Sequence, residues 1–136
     1  MRALMLSALI LAFPLAVSAQ DAADPLARYA WVNRPLVIFA DTPNDPRFVR
    51  QMELLSNHPG DLEERDVVIL TDTDPAADGP LRQRLHPRDF MLVLIGKDGR
   101  VALRKPTPRS VRELVRAIDK MPMRIDEINA TRGLQD

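Results

Sequence analysis

The residue pattern predicts an α/β fold, a four-stranded mixed sheet of strand order 2-1-3-4 flanked by helices. Three observations carry this. Continuous apolar runs at 35–40 and 90–95, with a shorter one at 67–70, have the length and composition of strands buried on both faces. A helical stripe of Phe48, Met52 and Leu55 separates the first two runs, as a right-handed parallel βαβ unit requires. Gly96-Lys97-Asp98-Gly99 follows the third run and supplies the positive-φ residue of a tight turn, so the last two strands form an antiparallel hairpin.

The elements follow in chain order. Asp24-Pro25 opens a short helix or turn with Leu26, Tyr29 and Ala30 at helical spacing, expected to pack Trp31 on the body. After the first strand, Asp41-Thr42-Pro43-Asn44-Asp45-Pro46 breaks the chain; Asn44 or Asp45 caps a helix whose first residue is Pro46. Asn57-His58-Pro59-Gly60 ends that helix, and the second strand follows Glu63-Glu64-Arg65-Asp66. A weak helical piece carries Leu81 and Leu85 before the third strand. Val101 and Leu103 alternate with Arg100 and Arg104 on a half-exposed edge strand, where Pro106 is tolerated. The best helix covers 107–121, with Val111, Leu114, Val115, Ile118 and Met121 on one stripe. Ser110 with Glu113 fits a capping box, and Thr107-Pro108 offers a competing start one turn earlier. Pro122 stops or kinks this helix, and 129–136 is expected to be a frayed tail. The two longest runs become central neighbours, and the arrangement is the minimal thioredoxin-like fold.

Residues 1–19 read as an export signal: Arg2, an apolar run to Ala16, then Val17-Ser18-Ala19 with small residues where a signal peptidase cuts. The run is shorter than the roughly 20 apolar residues of a membrane span and contains Pro14. Removing 19 residues from 136 leaves 117, starting at Gln20, enough for one domain (20–128) with one core. The expected location is the periplasm or the medium, with no span in the mature chain. With 19 basic and 19 acidic residues the whole chain is formally neutral, giving no electrostatic reason to bind nucleic acid. A protein or envelope component is the expected partner.

Four segments carry a resemblance: Trp31-Val32-Asn33-Arg34-Pro35-Leu36, Glu64-Arg65-Asp66, Leu94-Ile95-Gly96-Lys97-Asp98-Gly99, and Ile118-Asp119-Lys120-Met121-Pro122-Met123-Arg124. With them, residues 31–127 resemble domain-of-unknown-function family 4174, found in exported bacterial proteins. The family is similar in turn to a domain of the vertebrate sushi-repeat and coiled-coil-domain extracellular-matrix proteins. The resemblance implies a thioredoxin-like fold, and no catalytic residue, activity or cofactor transfers with it.

Cysteine is absent, which excludes thiol oxidoreductase and cysteine peroxidase chemistry. In thioredoxins the redox pair sits in the loop that corresponds to 41–47, where Asn44 and Arg47 take the cysteine places. Strand direction brings the loops 41–47, 71–75 and 86–89 to one edge, gathering Asp41, Asp45, Asp72, Asp74, His86, Arg88 and Asp89. Ligands of open α/β sheets bind at the carboxyl ends of strands. Asp41, Asp45, Asp72, Asp74, His86 and Arg88 are therefore the candidate ligand site, for a cation or a polar ligand; the competing reading is solvated turns and helix caps. Asp72-x-Asp74 does not continue as a calcium loop, since Ala77 and Gln83 stand where Gly and Glu are needed. Met121-Pro122-Met123 reads as a thioether site for Cu(I) or, better, as core filler. The favoured function is an exported, non-redox binding or interaction module with no cofactor; the alternative is an enzyme or metal-binding protein using the acidic edge.

Overall fold

A computed structural model describes residues 24–135. The expected signal at 1–19 and the start at Gln20 lie outside the described residues. Four strands, β1 (Arg34–Phe39), β2 (Val67–Asp72), β3 (Met91–Ile95) and β4 (Val101–Lys105), form one sheet in the order β2-β1-β3-β4. β1 and β2 are parallel, with Arg34 opposite Val67 and Phe39 opposite Asp72. β1–β3 and β3–β4 are antiparallel. This is the order that the apolar runs predict.

β1 is buried at every residue, because both of its faces are covered. Leu36, Ile38, Leu92 and Leu94 join Leu55, Leu62, Val111, Leu114 and Ile118 on one face. Val37, Phe39, Val93 and Ile95 join Leu26 and Leu85 on the other. Period-2 alternation along a two-sided strand gives two apolar sets, which is why these strands read as unbroken runs. β2 differs from expectation. It is partly exposed along its length, Ile69 to 37%, because it forms the edge of the sheet.

The helices are α1 (Pro46–Ser56), α2 (Pro59–Glu63), α3 (Pro80–Leu85), α4 (Val111–Asp119) and α5 (Pro122–Gly133). Asp45, not Asn44, caps α1, accepting the Arg47 N–H at 2.8 Å. The fully buried Gln51 of α1 donates to the Arg109 carbonyl (3.0 Å) and accepts the Arg109 N–H (2.8 Å), fixing the approach to α4. α4 starts at the later of its two sequence signals, with Ser110 Oγ accepting the Glu113 N–H at 3.2 Å. Met121 lies beyond the end of α4, as the residue before α5, and still packs against the core that Val111, Leu114 and Ile118 build. α5 continues to Gly133, so the segment expected to fray is helical over most of its length. The described peptide bonds, His86–Pro87 included, are trans. Among the described residues, no helix is long and apolar enough to cross a membrane.

Candidate functional site

The carboxyl ends of β1 and β2 hold the residues that sequence topology assigns to a ligand, and arginines occupy two of them, Asp45 and Asp72. Asp45 receives Arg47 Nε (3.0 Å) and Nη2 (2.7 Å), and the same Nη2 reaches Asp89 at 2.7 Å. Arg47 lies over the Phe90 ring. Its guanidinium holds the carboxyls of Asp45 and Asp89 below the ordinary range. Asp72 receives Arg82 Nε at 2.9 Å, while Arg82 Nη2 donates to the carbonyls of Ala40 (2.8 Å) and Asp72 (3.2 Å). Arg82 is buried and lies over the Phe39 ring. The main-chain N–H of Asp74 donates to Asp72 Oδ1. The side chains of Asp41 and Asp74 are exposed and make no hydrogen bond or ion pair among the described residues. His86 and Arg88 line an open cleft of about 390 Å³ with Pro75, Asp78, Arg82 and Pro87, apart from the four aspartates. Among the described residues, no three His, Asp or Glu side chains are placed to hold a metal ion.

The opposite end of the sheet, where β1 and β2 begin, carries a larger construction. Arg34 stands at the start of β1, before the apolar run, and is fully buried. Its Nη1 donates to the Arg65 carbonyl (2.8 Å) and to Glu127 (3.3 Å), and its Nη2 to Glu127 Oε1 at 3.1 Å. Lys97, from the hairpin turn, reaches Glu127 (2.7 Å) and Asp66 (2.8 Å). Arg65 grips Asp119 through Nε (2.8 Å) and Nη2 (3.0 Å). Arg124 joins Asp119 (3.3 Å), Glu64 (3.2 Å) and Glu127 (3.5 Å). Arg34, Arg65, Lys97 and Arg124 are thus matched by Glu64, Asp66, Asp119 and Glu127. This pairing of charges is what allows them to sit against a core.

The field of these pairs fixes their protonation. Partial burial works to raise the pKa of Glu127, and the hydrogen bonds of Lys97 and Arg34 outweigh it, bringing it down to about 2. Arg65, then Arg124, hold the Asp119 carboxyl below its usual range. Burial works to lower the Lys97 pKa, and Asp66 and Glu127 turn the balance upward.

Beside the network lies a groove of about 370 Å³, walled by Trp31, Val101, Ala102, Met121, Pro122 and Met123, with Arg34, Lys97 and Arg100 supplying charge. Trp31, expected to pack on the body, is instead 68% exposed. Leu26 takes the buried position in that segment. The Trp31 backbone is left-handed, at φ 65°, and its N–H donates to the Lys97 carbonyl at 2.7 Å. For a bulky L-residue that conformation costs ~1–2 kcal/mol, and the hairpin holds it in place.

Every segment that carries the family resemblance meets at this end: Trp31 and Arg34, Glu64 to Asp66, Lys97, and Asp119 with Arg124. Sequence reasoning gave Lys97 a turn role and named the other charges only as parts of the resembling segments. The available signal was Arg34 abutting a buried strand, and Arg124 two residues after Pro122, where a helix begins.

Solved structures with the same fold include 2-Cys peroxiredoxins of Plasmodium species. The reduced Plasmodium vivax enzyme is 16% identical, with a TM-score of 0.56 over 69% of this chain and 80% of that one. The mitochondrial protein of Plasmodium falciparum is 20% identical, with a TM-score of 0.51 over 69% and 78%. At such identities the likeness shows the fold, which is thioredoxin-like. No curated protein sequence matches the chain. The sequence profile of a domain of unknown function (DUF4174) matches residues 25–127, spanning all four strands and the whole ion-pair network, and the chain belongs to that family.

Proposed function

We propose that this protein is an exported, non-redox thioredoxin-like binding module that recognises its ligand or partner through the Trp31 groove. The observation that carries the reading is Trp31, the single tryptophan of the chain, exposed and held in a costly backbone conformation beside an ion-pair network built from the family's motifs. Strain kept at an exposed aromatic makes no contribution to the core, and such strain concentrates where proteins clamp ligands. At the other end, the position used for thiol chemistry in thioredoxins holds Arg47, tied to Asp45 and Asp89. Export rests on residues 1–19.

The test is a pull-down from the cell envelope with tagged mature protein, wild type against Trp31→Asn, alongside fractionation. Asparagine tolerates the left-handed conformation, so the variant keeps the fold. The reading expects a protein beginning at Gln20 outside the cytoplasm, and a captured component lost in Trp31→Asn. Equal capture by both proteins, or retention in the cytoplasm, contradicts it.

A further inference from the structure

We propose that the Trp31 groove binds a small amphiphilic carboxylate, one anionic head on an apolar body; this rests on the reading of that groove as the recognition surface. Its volume, about 370 Å³, is at the small end of ligand pockets. Trp31, Val101, Ala102, Met121 and Met123 supply apolar walls, and the indole face suits a hydrocarbon or an aromatic ring.

The charge at the groove is one-sided. Arg34, Lys97 and Arg100 line it against a single carboxylate, Asp98. Asp98 is turned onto its own loop, its Oδ1 accepting the Arg100 N–H at 3.0 Å. Glu127 and Asp66, which neutralise Arg34 and Lys97, are not among the walls. The exposed guanidinium of Arg100 has no partner among the described residues.

A further set of donors is unused beside the Arg100 guanidinium. The twelve-residue helix α5 begins at the groove wall with Pro122, and no side chain caps it. A helix N-terminus and a guanidinium edge both favour an anion. The unpaired Arg100 also disfavours Cu(I) at Met121 and Met123, because a metal cation there faces a positive side chain with no carboxylate on it.

Trp31 is the only tryptophan, so its emission reports this groove alone. Full mature protein is titrated with sodium octanoate, octylammonium chloride and octan-1-ol, read by tryptophan emission and by calorimetry in parallel. Octanoate should give a saturable blue shift that weakens with added salt, and the other two should bind about tenfold more weakly or worse. Arg100→Ala, an exposed substitution, should weaken octanoate about fivefold while leaving the melting temperature in place. No saturable octanoate signal by either method, equal binding of octan-1-ol, or an unaffected Arg100→Ala variant overturns the proposal. If octanoate fails while Trp31-dependent capture from the envelope persists, the ligand class is wrong and the binding module stands. If both fail, the reading of the groove falls with it.

Discussion

The two ends of the sheet use arginine in opposite ways. At the carboxyl end, Arg47 and Arg82 lie over core aromatics, Phe90 and Phe39. Each serves its own loops, Arg47 joining Asp45 to Asp89 and Arg82 joining Asp72 to the Ala40 carbonyl. At the other end, Arg34, Lys97 and Arg124 converge on Glu127 from β1, the hairpin and α5. Charges there join elements that are distant in sequence and hold an open apolar groove beside them. At one end arginine is spent on the loop aspartates Asp45, Asp72 and Asp89; at the other the exposed Arg100 guanidinium beside the groove has no partner among the described residues.

The largest effect expected follows from Arg34. Arg34→Met leaves Glu127 with one strong partner fewer and the Arg65 carbonyl unmet, and should cost about 3–5 kcal/mol in a urea melt. Arg82→Met removes hydrogen bonds to Asp72 and Ala40 within one end, and should cost less, about 1.5–3 kcal/mol. Reversal of that order would show that the carboxyl end, not the motif end, holds the sheet together.

Acid sharpens the same contrast. The Glu127 carboxyl is held at about 2 against an ordinary 4.5, so its stabilisation is complete above the ordinary value and is lost as pH falls through the range down to 2. Asp119, also depressed, adds to the loss in the same direction. Stability measured from pH 6 to pH 2 should therefore fall, and Glu127→Gln should flatten the fall. An unchanged slope in the variant would remove Glu127 from the account.

Much of this architecture was legible because burial on both faces writes strands as unbroken apolar runs, as at Leu36–Phe39 and Leu92–Ile95, all fully or almost fully buried. Turn chemistry was legible too: Gly99 does adopt positive φ, at 80°. The site was less so. Loop topology did bring Asp45 and Asp89 together, but through Arg47, and no spacing rule announces a guanidinium that reaches a carboxylate 42 positions away. The Arg34–Glu127 pair spans 93 positions, so it exists only once α5 packs under the hairpin. Trp31 misled for a different reason. Hydrophobicity predicts burial, and nothing in the pattern marks the one aromatic of this segment that stays outside.

Two smaller effects follow. Trp31→Asn should leave stability unchanged or raise it by up to about 1 kcal/mol, because the substitution relieves a left-handed backbone. A clear loss in a thermal melt would mean that the indole packs in solution. Ca²⁺, Zn²⁺, Cu²⁺ and Mn²⁺ should leave the melting temperature of both wild type and Asp72→Asn unchanged, since Arg47 and Arg82 already neutralise the acidic loops. Stabilisation of the wild type that Asp72→Asn diminishes would restore a cation site at that end.

The central claim, that recognition belongs to the motif end, is tested most directly by photo-crosslinking in intact cells. A photoreactive amino acid is placed singly at Val32 or Val101, both exposed beside the groove, and at Thr42 or Ala76, both exposed at the carboxyl end. The account predicts discrete adducts from Val32 and Val101, abolished by Trp31→Asn, and none from Thr42 or Ala76. Adducts confined to Thr42 and Ala76, indifferent to Trp31, would contradict it.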